Sequence, residues 1–386
     1  MIKREIESEI LKAINKMPVI CITGPRQSGK TTLVKHLFDE YKYYNLEFPE
    51  HRLFAQSDPT GFLSEIESGI IIDEIQRVPD LLSSIQYFVD ENRTKGKVII
   101  TGSQNILLMQ SVSQTLAGRV ALFTLLPFSV TELENTIYHE DKYENYLVKS
   151  FYPRIYKDNL DVNNWLQDYT NTYIERDVRQ ITSVRDLSLF SSFLKLCAGH
   201  TGQLVNYSTL SNNLGVDVNT VKSWLSILET SYIIFLQPPW YKNFNKRLIK
   251  SPRLFFYDTG LACNLLGIRS ITDYDNHYLK GGLFESFIIS EFQKHNFNRR
   301  LNSKLYFLRD SNGNEIDLII ELDGRLIAVE IKSGKTINQD FFKGFRYLDK
   351  HLPSKNIDKY LVYGGENRQK GSQEQVLSWR YITEVF

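Results

Sequence analysis

Gly24-Pro25-Arg26-Gln27-Ser28-Gly29-Lys30-Thr31 lies between the apolar run Val19–Thr23 and the helix-forming stretch Leu33–Phe38. This is the spacing GxxxxGK[ST] in a strand–loop–helix setting. Glycines let successive backbone N–H groups turn inward around phosphate oxygens. The following helix aims its positive N-terminal end at the same anion. Lys30 is expected to reach the β- and γ-phosphates, and the hydroxyl of Thr31 to ligate Mg²⁺. The nucleotide-binding set expected for ATP or ADP is Gly24, Pro25, Arg26, Gln27, Ser28, Gly29, Lys30, Thr31 and Thr32, with Asp73 and Ser103.

Asp73 and Glu74 close the apolar run Ile70-Ile71-Ile72. Asp73 is expected to hold Mg²⁺ through water, and Glu74 to orient and deprotonate the attacking water. A third run, Val98–Ile100, ends in Thr101-Gly102-Ser103-Gln104, where Ser103 or Gln104 can sense the γ-phosphate. Hydrolysis also calls for a cation on the transferring group. Arg119 is the first choice, with Arg77, Arg176 and Arg179 behind it; the sequence leaves open whether this finger acts within one subunit or across an interface.

A second constellation lies near the C-terminus. Asp317 sits in Glu315–Ile320, and Glu330-Ile331-Lys332 closes Leu326–Val329. Alternation puts Glu330 and Lys332 on one face of a strand, where Asp317 of a neighbouring strand can meet them. Glu285, on the helical stretch Gly281–His295, is a fourth member. Asp317 and Glu330 can hold Mg²⁺ through hard oxygens, and the lysine can stabilise charge at phosphorus. The expected chemistry is metal-assisted phosphodiester hydrolysis; the alternative is a charged strand edge with a Glu–Lys pair.

The elements that must position these groups follow from patterning. Runs apolar on both faces and alternating with helices indicate a doubly covered parallel sheet over residues 1–140. Residues 141–186 carry no strand pattern and are expected to form a helical lid. Residues 187–258 show three helices and a hairpin, the layout of a winged helix-turn-helix. Ser208 and Asp217 are its expected helix caps, and Val221, Trp224, Leu225 and Leu228 its buried face. The basic stretch from Tyr241 to Arg253 contains Lys242, Lys246, Arg247, Lys250 and Arg253 and no acid, which suits a nucleic-acid backbone. The helix is poor in base-reading groups, so DNA contact of low sequence specificity is expected; the alternative is a packing module between larger domains. Residues 259–386 form a second α/β core.

Composition narrows the classes. The 386 residues are 42% apolar and 24% charged, with 46 basic against 45 acidic side chains. That excludes a disordered chain and a strongly basic tail, so anionic partners must be held by local patches. Three scattered cysteines (Cys21, Cys197, Cys263) form no disulfide framework, which points to a reducing, cytoplasmic compartment. No apolar run approaches the roughly 20 residues of a membrane span, so no membrane partner is expected.

The chain resembles the bacterial and archaeal AAA-type ATPases of the AAA_14/DUF4143 family. The resemblance runs through GPRQSGKTTL, IIIDEIQRVPDLL, IITGSQ, LAGRV, LPFSVTEL, YIERDVRQI, FFYDTGLACNLLG, GLFESFI, EIDLII and AVEIKSG. It implies an α/β multidomain chain: a P-loop AAA-type parallel sheet with a helical lid, a winged-helix middle, and a C-terminal α/β domain of the restriction-endonuclease, PD-(D/E)XK type. By position, Lys30, Thr31, Asp73 and Glu74 match the ATPase motifs, and Glu285, Asp317, Glu330 and Lys332 the nuclease-type set. Ile316 stands where that motif often has proline. Ring assembly from copies of the chain is implied by the resemblance alone. The expected activity is ATP hydrolysis coupled to a domain that acts on or binds nucleic acid. The alternative is a nucleotide-dependent switch whose C-terminal domain is an inert scaffold for a protein partner or DNA.

Overall fold

Val19–Ile22, Ile70–Ile72 and Val98–Ile100 are buried throughout, as strands covered on both faces must be. The computed structural model describes residues 2–64, 68–92, 95–103, 112, 114–174, 186–240, 250–352, 357–371 and 374–386. Its N-terminal part runs α1 (Glu7–Ile14), β1 (Val19–Gly24), α2 (Lys30–Leu37), β2 (Lys42–Asn45), α3 (Pro49–Ser57), α4 (Pro59–Ser64), β3 (Ile70–Asp73), α5 (Leu81–Asn92), β4 (Val98–Ser103) and β5 (Val120–Thr124). The five strands form a parallel sheet in the order β2-β3-β4-β1-β5. Insertion of β4 between β1 and β3 brings the carboxyl ends of all three to one rim, where ligands of such sheets bind. One apolar cluster covers each face. The first includes Phe62, Leu82 and Ile85; the second includes Ile6, Ile10, Leu33 and Val34. Leu11 of α1 is 45% exposed.

Helices and a hairpin follow among the described residues: α6 (Val130–Glu134), α7 (Tyr143–Lys149), α8 (Pro153–Lys157), α9 (Val162–Tyr169), α10 (Leu187–Gly199), α11 (Tyr207–Leu214), α12 (Val218–Thr230), β6 (Ile234–Gln237) and β7 (Arg253–Phe256). Asn206, not Ser208, caps α11, because its side chain accepts from Thr209 N at 3.0 Å. Asp217 caps α12 by accepting from Thr220 N at 2.9 Å. Gly215 ends α11 at φ +68°, a left-handed conformation that glycine adopts at little cost. Val221, Trp224, Leu225 and Leu228 are buried, while Asn219, Lys222 and Ser223 face outward.

The C-terminal part runs α13 (Thr259–Leu265), α14 (Ile271–Asn276), α15 (Lys280–Arg299), β8 (Lys304–Arg309), β9 (Glu315–Leu322), β10 (Arg325–Lys332), α16 (Lys343–His351), β11 (Ile357–Tyr363), β12 (Gln369–Lys370) and β13 (Gln375–Ser378). Its mixed sheet has the order β12-β13-β11-β10-β9-β8. The short β12 and β13 were not anticipated. Residues after β6 extend this sheet: Trp240 N donates to Phe307 O at 2.7 Å, and Phe307 N to Pro238 O at 3.1 Å. They cover the free edge of β8, which would otherwise expose unpaired backbone groups.

A single apolar cluster runs from Leu126 to Val385. It takes in Tyr146 of α7, Leu166 of α9, Phe193 of α10, Leu228 of α12, Leu261 of α13, Phe287 of α15 and Val329 of β10. The segments that patterning divides at 186 and 258 therefore share this cluster, while Trp240, Ile316, Phe345 and Leu361 pack in a second one. Among the described residues, no helix is long and apolar enough to cross a membrane.

Candidate functional site

The loop between β1 and α2 is built by backbone constraint. Gly24 has φ +147°, and a Cβ there would lie 2.1 Å from Leu125 O. Gly29 has φ +94°, and Gln27 takes φ +63° without a glycine's freedom. The Lys30 ammonium donates to Gly24 O at 3.0 Å and Pro25 O at 2.8 Å, so it lies across the loop. Ser28 Oγ is buried without a hydrogen-bond partner. An anion-sized turn, a buried ammonium and an orphaned hydroxyl at a helix start fit a nucleotide's phosphates. Thr32, on the first turn of α2, is exposed.

Three groups from outside the sheet brace this loop. Arg4 donates to Ser28 O at 2.9 Å and Leu126 O at 2.6 Å, and pairs with Glu132 at 2.9 Å. Tyr169 of α9 donates to Arg26 O at 3.3 Å. Tyr232, just after α12, places its hydroxyl 3.2 Å from Thr23 Oγ1 and 3.1 Å from Thr124 Oγ1. Tyr232 holds φ +55°, which is costly for a bulky side chain.

The acids meet the loop from β3. Asp73 Oδ2 accepts from Thr31 Oγ1 at 2.7 Å and from the Tyr43 hydroxyl at 2.7 Å; Oδ1 accepts from Thr101 Oγ1. A buried carboxylate and a threonine hydroxyl in contact are a hard-oxygen pair of the kind Mg²⁺ takes, so this set fits the ion. Glu74 follows in a left-handed conformation, φ +59°, and accepts from Gln76 Nε2. Burial pushes its carboxyl up, and nearby Lys30 and Arg26 partly offset this while Asp73 adds to it. Burial thereby raises its affinity for a proton, as a general base needs. Ser103 pairs in register with Gly24 at the same rim. Gln104, Arg176 and Arg179 lie outside the described residues.

Arg119 stands away from its own subunit's loop. Val19 N donates to Arg119 O at 3.0 Å, so this arginine stands at the amino end of β1, opposite the loop. Five residue steps of about 3.3 Å put it about 17 Å from Gly24 along the strand. Its guanidinium is held by Asp90 at 2.6 and 2.9 Å on the surface. It cannot reach a phosphate bound in its own subunit. Arg77 lies 3.6 Å from Glu47 on the β2–α3 turn, nearer the rim.

The C-terminal residues also converge. Lys332 Nζ lies 2.8 Å from Asp317 Oδ2 and 2.6 Å from Glu330 Oε2, and Ile331 N donates to Asp317 Oδ2 at 2.8 Å. Glu285 pairs with Arg253, whose Nη2 donates to it at 2.6 Å and to Gly202 O at 2.7 Å. Arg253 is therefore withdrawn from the basic surface on which the sequence had placed it; it is 6% exposed. Lys242, Lys246 and Arg247 lie outside the described residues. Burial and then Asp317 push the Glu330 carboxyl up. Lys332 and Arg253 hold Asp317 below the usual range, against the effect of burial. Burial pushes Glu285 up to about 8. Asp317 and Glu330 are both buried, and a Cβ on Gly344 of α16 would lie 1.8 Å from Glu330 Oε1. Two hard carboxylates on adjacent strands fit a magnesium ion by donor chemistry. Among the described residues, no group of three or more His, Cys, Asp or Glu side chains is arranged to hold a metal.

Sequence reasoning did not find Tyr43, Thr101, Arg4, Tyr232 or Arg253. Thr101 had a signal, the small polar end of its strand. The others are brought in by tertiary contact alone.

Comparison with known proteins divides the chain in three. Residues 16–134 match the model of a family described as AAA domain. Residues 140–272 and 280–382 match two families described as domains of unknown function, DUF8612 and DUF4143. An uncharacterized protein of Mycobacterium tuberculosis is 29% identical over 379 residues, covering 95% of this chain and 81% of that one. An uncharacterized protein of Methanocaldococcus jannaschii is 23% identical, covering 93% and 83%. Among solved structures, a Walker-type ATPase of Pyrococcus abyssi aligns with a TM-score of 0.43 at 17% identity, covering 69% of this chain and 96% of that one. The Thermotoga maritima RuvB Holliday junction branch migration motor aligns at 0.33 and 18%, covering 60% and 89%. The matched segment 16–134 contains the phosphate loop, both acids of β3 and the inserted β4. Residues 16–134 thus match the AAA domain family and carry a P-loop ATPase-like parallel sheet.

Proposed function

We propose that the chain hydrolyses ATP to ADP and phosphate. The observation that carries this is the contact between the Thr31 hydroxyl and Asp73 at 2.7 Å, beside a loop crossed by the Lys30 ammonium. The backbone N–H groups of Arg26 to Thr31 and the Lys30 ammonium bind the triphosphate, with Gly24 and Pro25 shaping the turn. Thr31 and Asp73 would hold Mg²⁺, which would supply positive charge against the phosphates. Glu74, its proton affinity raised by burial, accepts the proton of the attacking water. Arg26, on the loop itself, is close enough to Glu74 to act on its charge, and is a cation already inside the site. Tyr169 and Tyr232 tie the loop to the shared core beyond residue 126, so a change at the phosphates reaches the rest of the chain.

The test is direct. Lys30→Ala abolishes binding of a fluorescent ADP analogue, and Glu74→Gln binds ATP but does not turn it over. Normal turnover in either variant refutes the assignment.

A second reading concerns the C-terminal cluster. The convergence of Asp317, Glu330 and Lys332 within 2.6–2.8 Å supports Mg²⁺-dependent cleavage of nucleic acid. On this reading Asp317 and Glu330 hold the ion and Lys332 stabilises charge at phosphorus; Glu285 supports them through Arg253. DNA bound with low sequence specificity is the proposed partner. If the wild type cuts no duplex, single-stranded or branched DNA, the domain is a scaffold for a protein or nucleic-acid partner governed by the nucleotide state. Assembly of several copies would let Arg119, exposed far from its own loop, act on a neighbour; sedimentation with and without ATP decides it.

A further inference from the structure

Tyr43 belongs to neither the phosphate loop nor β3. It projects from β2, which pairs with β3 in the register Tyr43↔Ile71 and Asn45↔Asp73. Its hydroxyl donates to Asp73 Oδ2 at 2.7 Å, the same oxygen that accepts from Thr31. The Lys35 ammonium of α2 lies 3.6 Å from the centre of its ring. Thr101 of β4 donates to the other carboxylate oxygen. Asp73 is thus clamped by hydroxyls from the strands on both sides of its own. Burial, and then the charge of Asp73, push the Tyr43 phenol up.

We propose that Tyr43 is a positioning residue for magnesium: its hydroxyl fixes the Asp73 carboxylate in the orientation that meets the ion beside Thr31. This rests on the ATPase reading above. Of the three hydroxyls on Asp73, Thr31 stands on the phosphate loop, whereas Tyr43 and Thr101 stand on flanking strands. Those two remain with the carboxylate when a metal draws on Thr31. Outer partners of this kind orient metal ligands, and losing one typically weakens metal binding by about 10- to 100-fold.

The experiment compares the full-length wild type with Tyr43→Phe, which keeps the ring and removes the donor. Affinity for a fluorescent ADP analogue is measured in EDTA and across a magnesium series. The expected result is unchanged affinity in EDTA, with about tenfold more magnesium needed for its half-maximal effect on that affinity. Tyr41→Phe, which removes a hydroxyl bonded to Gly96 O at 3.0 Å, leaves both quantities unchanged. A magnesium requirement within twofold of wild type overturns the proposal. So does a loss of affinity that is equal in EDTA and in magnesium, because that marks Tyr43 as packing alone. A wild type that binds no ADP in either condition refutes the ATPase reading itself, and this proposal with it.

Discussion

Replacing Arg4 by methionine removes one cation and leaves several partners exposed to the loss. The guanidinium is 5% exposed and the Glu132 carboxylate 0%. Arg4 Nε pairs with Glu132 Oε1 at 2.9 Å, while its two terminal nitrogens reach Ser28 O and Leu126 O. Glu132 has a second duty: its other oxygen accepts from Ser129 N at 3.0 Å, in the capping box that starts α6. Removing one member of a buried pair strands the other, at a cost of about 3–5 kcal/mol. Urea unfolding reports this in the transition that ADP shifts, which identifies the nucleotide domain; saturation at a hundred times the dissociation constant raises that transition by about 2.7 kcal/mol. Loss of the bond to Ser28 O also unbraces the loop before it meets phosphate. A charged hydrogen bond of this kind contributes about 1.5–3 kcal/mol. ADP affinity should therefore fall about tenfold, which corresponds to about 1.4 kcal/mol. The double variant Arg4→Met, Glu132→Gln should cost less than the sum of the single changes by about 2 kcal/mol. A loss below about 1 kcal/mol in Arg4→Met, or a strictly additive cycle, refutes the reasoning.

Gly24→Ala forces a Cβ to 2.1 Å from Leu125 O at a φ of +147°. It should lower stability by about 2 kcal/mol or more and abolish ADP binding; a wild-type melting curve would contradict the loop geometry. Glu285, pushed up to about 8 by burial, binds a proton more readily in the folded state than in the unfolded chain. Its contribution is complete below the ordinary glutamate range near 4.5 and is lost as pH rises through about 8. Glu285→Gln keeps an acceptor for Arg253 but has no proton to lose. Urea midpoints between pH 5 and 8 should therefore fall less steeply in that variant, by up to about 1.4 kcal/mol per pH unit; equal slopes would show that Glu285 does not titrate there.

The parts of the site legible in sequence are those written within one element or one turn. Gly24 to Thr31 reads directly because the loop's chemistry lies in consecutive residues. Asp73 and Glu74 read because they end an apolar run. Asp317, Glu330 and Lys332 read because strand alternation fixes which side chains share a face, and the antiparallel pairing of β9 with β10 then brings them together. What could not be read depends on distance along the chain. Arg4 meets Glu132 across 128 positions, Thr23 meets Tyr232 across 209, and Tyr43 meets Asp73 across 30. No periodicity encodes such pairings. Arg253 shows the opposite failure: a cation in a run of cations reads as surface, yet the fold of β6 against β7 turns it inward onto Glu285. Which end of the sheet Arg119 occupies was not legible either, because its neighbours in sequence do not say.

The apolar cluster from Leu126 to Val385 has a mechanical consequence. A body packed as one unit transmits a push without absorbing it, since dense interiors are stiff. That body meets the N-terminal part at several polar points: Tyr169 at Arg26, Tyr232 at Thr23, and Asn298 and Arg299 at Glu5. A shift of the loop is therefore felt by a stiff body held at more than one place, which resists free hinging about any one of them.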